Sequence, residues 1–198
     1  QCGVSRFGMP AMGSWINYAI GSQTNDLPGY VVLVSEGGGG GQPISSRQWS
    51  NGFLPAPYQG TRLRPAGSPI LDLNSQPFKD RAHQRRALDE LSFLNQKHSE
   101  IHPDHDALAA RMENYELAYR MQMEVPDVIE IANEPEHIRE MYGLNDPECA
   151  AFGRQCLLAR RLVERGVRFV ELSCITKNIG AGGAANPWDQ HGDLERGH

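Results

Sequence analysis

The sequence predicts an α/β fold built on a mostly parallel sheet covered by helices. Two observations carry that expectation. The stretch "YVVLV", Tyr30 to Val34, is a continuous apolar and largely β-branched run, the pattern of a strand buried on both faces. Later, an amphipathic segment closes on "VERG" and leads straight into "VRFVELS". A helix, a capping glycine and then a strand form the second half of a βαβ unit.

The elements follow in chain order. "GMPAMGSWINYAIGSQ" reads as a short helix. Pro10 suits its first turn, Met12, Trp15, Ile16 and Ala19 recur at helical spacing, and Gly21 stops it. After the Tyr30 to Val34 strand, residues 35–78 read as a long irregular loop dense in Gly, Pro and Ser. Its aromatic and apolar residues Trp49, Phe53, Leu54 and Tyr58 argue that it packs against the fold.

Three helical patterns come next. Ala87, Leu91 and Leu94 form a narrow stripe within Lys79 to His98, and Leu108, Met112, Tyr115 and Tyr119 form another within Asp104 to Met123. "EPEHIREMYG" is a short third helix. A longer helix, Pro147 to Arg165, places Phe152, Cys156, Ala159 and Val163 on one face, with Gly166 as its cap. Residues 174–187, "CITKNIGAGGAANP", read as a flexible connection to "WDQHGDLERGH". No internal repeat or second-domain boundary is visible, so residues 1–198 read as one domain.

Composition narrows the function classes. Hydrophobic content of 39% and charged content of 22% fit a soluble globular chain. A formal net charge of −5 supplies no basic field for nucleic acid and no polybasic membrane anchor. No apolar run reaches transmembrane length. Cys2, Cys149, Cys156 and Cys174 lack CxxC spacing and read as buried thiols, not a disulfide frame or zinc site.

Several further motifs bear on chemistry. Gly37 to Gly41 follow a strand, but Gln42 and Pro43 cannot open a phosphate-binding helix, so a linker is expected there. Ser14 reads as a helix-surface serine outside any nucleophile elbow. In "HPDHD", Asp104 reads as a helix N-cap, with His83, His98, His102 and His105 solvated around helix ends. Arg81, Arg85 and Arg86 read as a solvated face, with an anion contact left open. Met121, Met123 and the tyrosine stripe read as core.

The remaining candidate lies near the carboxy end. Asp189 and His191 are two apart, and in an extended segment they point the same way, so both could reach one ion. A carboxylate with a neutral imidazole suits Zn²⁺, Mn²⁺ or Fe better than Ca²⁺. His198 supplies a third ligand if the chain turns back, while Asp193 could instead cap a helix from Leu194. In open α/β sheets, ligands gather beyond the carboxyl ends of strands, which is where this segment follows.

Six ordered stretches resemble one bacterial family. They are "PAMGSWINYAIGSQTNDLPGYVVL", "GGGGQPISSRQWSNGFLPAPYQGT", "RMENYELAYRMQMEVPDV", "EPEHIREMYG", "FGRQCLLARRLVERGVRFVEL" and "WDQHGDLERGH". The family is domain of unknown function 1501, grouped with the alkaline-phosphatase-like, or sulfatase-like, superfamily.

The resemblance implies a partial three-layer α/β/α sandwich of alkaline-phosphatase-like type. It also implies a divalent-metal centre (Zn, Mn or Ca) that activates a Ser, Thr or Cys nucleophile toward phosphate or sulfate esters, small molecules or polysaccharides. The family's WDxHG segment matches at Trp188, Asp189, His191 and Gly192, which implies that Asp189 and His191 share a metal. Export to the periplasm or beyond the cell is implied too.

Family members are longer than this chain and carry further acidic and histidine ligands. The chain is therefore expected to be an internal fragment, one incomplete domain without hydrolase activity by itself. Where members often read Pro-Ser-Met-Gly-Ser-Trp, this chain has Ala11 in place of the first serine. The alternative expectation is an exported, non-catalytic binding protein of the same fold. It would dock a polysaccharide or protein through Trp49, Phe53 and Tyr58.

Overall fold

The computed structural model describes residues 8–34, 45–64, 80–102, 106–147 and 149–173. Its centre is the strand that the apolar run predicts, β1 (Tyr30–Val34), in which every residue is buried. On one side it pairs in parallel with β2 (Thr61–Leu63), and on the other in parallel with β3 (Phe169–Ser173). The three-stranded order is β2-β1-β3.

Burial on both faces follows from the alternation of side chains along β1. Val31 and Leu33 point into a cluster with Leu63, Met121, Val125, Val128, Leu157, Leu158 and Leu162. Tyr30, Val32 and Val34 point the other way, toward Ala11, Trp49 and Phe169. Each such fully buried aliphatic side chain contributes about 2 kcal/mol of transfer free energy. No residue of a central strand can be made polar without loss on one face or the other.

The helices confirm the predicted elements and correct their facing. These are α1 (Met12–Ile20), α2 (Arg81–Ile101), α3 (Asp106–Ile129), α4 (Glu136–Met141) and α5 (Ala150–Glu164). In α1 the apolar spacing points outward: Met12 and Trp15 are exposed, and the buried face is Gly13, Ser14 and Asn17. The cause is steric. A Cβ on Gly13 would lie 2.6 Å from the rings of both Tyr30 and Phe169, so the sheet's own aromatics fill the space and α1 presents its smallest residues. Gly21, at φ 68°, ends the helix as expected.

In α2 the predicted stripe is not core, since Leu91 and Leu94 are exposed. In α3 the buried row is Met121, Val125 and Val128, with Leu117 packed against the same cluster, while Tyr115 and Met123 are exposed. The helix carries Pro126 internally and runs on past it to Ile129. In α5 the core face is Leu157, Leu158, Ala159 and Leu162, and the predicted Val163 is exposed.

The stretch expected to be one irregular loop is partly ordered. It forms 3-10 turns at Ser46–Trp49 and Ala56–Tyr58 and then strand β2. Three residues of mixed character are too short a run to read as a strand before the neighbour is known. Trp49 and Leu54 are buried as expected, but Phe53 is 63% exposed. Cys149 is exposed and Cys156 half-buried, so the expectation of buried thiols fails for Cys149. Among the described residues no helix is long and apolar enough to cross a membrane.

A polar latch ties α5 to the end of α3. The Glu134 carboxylate, 7% exposed, accepts hydrogen bonds from Arg160 at 2.8 and 2.9 Å and another from Arg161. Arg161 also donates to the carbonyls of Val128 at 2.8 Å and Asp127 at 2.5 Å. The carbonyls at the end of α3 thus find donors that the helix itself does not provide. The Arg160 hydrogen bonds, assisted by Arg161, hold the Glu134 carboxyl below its ordinary value of 4.5.

Glu134→Gln should therefore destabilise the chain by about 2 kcal/mol, less than for a fully buried pair because the arginines are part exposed. A folded-state value below the unfolded one contributes stability above pH 4.5, lost as pH falls through the folded value. Urea denaturation at pH 7 and at pH 3 should show a gap between wild type and Glu134→Gln that narrows in acid. A constant gap contradicts the latch.

Candidate functional site

The geometry of the sheet selects one end. β1 and β3 are parallel and in register, with Val34 opposite Ser173. Their carboxyl ends therefore open side by side, the position at which open α/β sheets collect ligands. The chain leaves this mouth from both strands. Trp188, Asp189, His191, Gly192 and His198, together with Gly37 to Gly41, lie outside the described residues. So do Asp104 and His105.

Among the described residues, no group of three or more His, Cys, Asp or Glu could hold a metal ion. His98 and His102 stack at the end of α2 with ring centroids 4.5 Å apart, one helical turn from each other. The arginine face is not simply solvated. Arg85 grips Glu116 of α3 at 2.6 and 2.8 Å and also reaches Asp89, while Arg81 and Arg85 lie over the Tyr119 ring. This explains why the tyrosine stripe turned away from the core: it is the α2-facing side of α3.

Ser14 reverses its predicted place. It is fully buried, and its hydroxyl donates to the Ser50 carbonyl at 3.2 Å. Beside it the Ala11 backbone N–H donates to the same carbonyl at 2.9 Å. These two bonds fasten the start of α1 to the turn after Trp49, so Ser14 acts as a tether. Ala11 itself is buried at the helix start and gives no side-chain cap.

One polar pair escaped the sequence reading. The Tyr30 hydroxyl donates to the Glu171 carboxylate across the β1–β3 ladder, beneath α1. Burial first, and then the Glu171 carboxylate, push the Tyr30 phenol well above its ordinary value, so it stays protonated and keeps donating. The ring is pinched between backbones: a Cβ on Gly13 would lie 2.6 Å from it and one on Gly60 2.8 Å. The sequence signal was alternation: Glu171 sits in β3 two residues after Phe169, on the Tyr30 face.

A second feature is aromatic. Phe53, Trp15, Tyr18 and Tyr58 form a row of edge-to-face contacts, with successive ring centroids 5.5, 6.1 and 5.2 Å apart. Phe53, Trp15 and Tyr18 are exposed along it. The predicted docking residues Phe53 and Tyr58 belong to this row. Trp49 does not, because it is 5% exposed and packs into the core under α1.

The model of a family described as "Protein of unknown function (DUF1501)" matches residues 1–198. No curated protein and no solved structure matches the chain.

The Tyr30–Glu171 pair generates a test. Tyr30→Phe removes the donor and leaves a half-buried carboxylate short of one bond, a cost of about 1–2 kcal/mol at pH 7. A phenol raised by folding contributes stability that is complete below pH 10.0, the ordinary value, and is lost as pH rises. Thermal unfolding followed from pH 8 to 11 should show a shallower alkaline decline in Tyr30→Phe than in wild type. Parallel declines would refute the pairing.

Proposed function

The chain belongs to this family of unknown function, and we propose that it forms part of a divalent-metal hydrolase of phosphate or sulfate esters. Asp189, His191 and His198 are the proposed metal ligands. The single observation that supports the reading is the parallel register of β1 and β3. It sets two strand ends side by side, and the segment bearing the three ligands comes later in the sequence than one of them.

The donor set fits a borderline cation. One carboxylate oxygen and two imidazole nitrogens match the preferences of Zn²⁺ and Mn²⁺, while Ca²⁺ would need additional oxygen donors. When bound, such a cation supplies Lewis acidity and a lowered pKa for a coordinated nucleophile. The contribution of this chain is to place Asp189 and His191 two residues apart, so that an extended backbone aims both at one point. Three ligands hold one cation, and a two-cation site requires more. The described residues supply no further cluster.

A second reading has its own observation. The aromatic row of Phe53, Trp15, Tyr18 and Tyr58, exposed at its first three members, favours a non-catalytic protein that docks a polysaccharide on the outer face of α1. Aromatic rings offer sugar chains a large contact area at low entropic cost.

Titration of the chain with Zn²⁺ or Mn²⁺ tests the first reading. Saturable binding should weaken by about tenfold or more in Asp189→Asn and in His191→Ala. Metal affinity unchanged by both variants rejects these ligands. The 198-residue chain should show no turnover of p-nitrophenyl phosphate or sulfate with added metal, since the proposed two-cation chemistry needs more ligands than these three. Glycan binding abolished by Trp15→Ala, without metal binding, decides for the second reading.

A further inference from the structure

We propose that a cleft along the outer edge of β2 binds an oxyanion group, sulfate or phosphate, through Arg62 and Arg64. The cleft has a volume of about 1120 Å³. It runs beside β2 and around the amino-terminal ends of β1 and β2, where the lining includes Pro28, Gly29 and Gly60. It lies on the β2 side of β1, whereas the segment bearing the proposed metal ligands comes after β3, on the other side of β1.

Leu63 is buried in the core opposite Leu33, so Arg62, opposite Val32, points to the other side of the strand, and Arg64 comes directly after the strand ends. Their Cα atoms are two residues, roughly 7 Å, apart. Both are exposed, and both line the cleft. Among the described residues neither has an ion pair, in contrast to Arg85, Arg139, Arg160 and Arg161, each of which grips a carboxylate.

The other charges of the lining leave these two arginines as the centre. Glu116 is taken up by Arg85 in a bidentate pair. Arg120, on the α3 wall, lies 3.7 Å from Asp26 and feels Glu116 as well, so it is a weaker partner for a ligand. Glu113 is the opposing carboxylate, about 10 Å before Arg120 along α3.

Residue type points to the ligand class. Positive charge on an edge strand also deters strand-to-strand association, and lysine would serve that purpose as well. Arginine adds a planar fork that meets two oxygens of one sulfate or phosphate group at once. Replacing both arginines by lysine therefore separates the two roles, because the charge stays and the fork goes.

The test is calorimetric titration of the whole chain in EDTA with three probes: inorganic sulfate, inorganic phosphate and a heparin-derived hexasaccharide. EDTA keeps the result independent of the metal reading. At least one probe should bind saturably, and the pattern tells whether a free anion suffices or an ester is needed. Binding should weaken about tenfold or more in Arg62→Ser/Arg64→Ser and about threefold or more in Arg62→Lys/Arg64→Lys. Both positions are exposed, so circular dichroism should show the variants folded. No saturable binding of any probe, or a loss below about threefold in the serine variant, overturns the proposal.

Discussion

The constraint on which the rest depends is that β1 has no solvent-facing side. A strand covered above and below must be apolar at every position, and it must have one layer of structure ready for each face. The two layers are unlike. Below, α3 and α5 deliver branched aliphatic side chains that interlock with Val31 and Leu33. Above, the sheet's own aromatic groups take the volume, and α1 fits by being small where it touches them. Parallel pairing on both edges follows, because such sheets survive only where helices shield them.

That asymmetry explains what the sequence disclosed. Tyr30 to Val34 and the join through Gly166 were legible because burial and capping impose local patterns. Helix positions were legible too. Helix facing was not, and the errors share one cause. A hydrophobic stripe marks the core only when the partner surface is concave and aliphatic. Against Tyr30 and Phe169 the best-fitting face of α1 is Gly13, Ser14 and Asn17, so Trp15 ends outside. In α3 Tyr119 serves the arginines of α2, and the core row starts further along. Strand β2 was hidden because three residues carry no periodicity of their own.

The candidate chemistry divides in the same way. The proposed metal ligands Asp189, His191 and His198 rest on residue type and family resemblance and lie outside the described residues. The Tyr30–Glu171 pair and the Glu134 latch were not legible, since each joins residues far apart in the chain whose meeting only the fold determines. The two polar groupings that the fold brings together serve distinct ends. The latch fixes α5 against α3, and the tyrosine pair ties β1 to β3.

The pairing of β1 with β3 carries a temporal consequence. Tyr30 and Glu171 are 141 positions apart. A ribosome adding roughly 5–20 residues per second therefore needs several seconds or more to supply the second partner. Through that interval one edge of an entirely apolar strand has no neighbour, while the local α2–α3 hairpin can already form. Closing so long a segment carries a large entropic penalty before any contact rewards it. Biogenesis of this sheet is thus the stage at which the nascent chain most needs a chaperone, and the stage at which its richest β-forming run is most exposed to self-association.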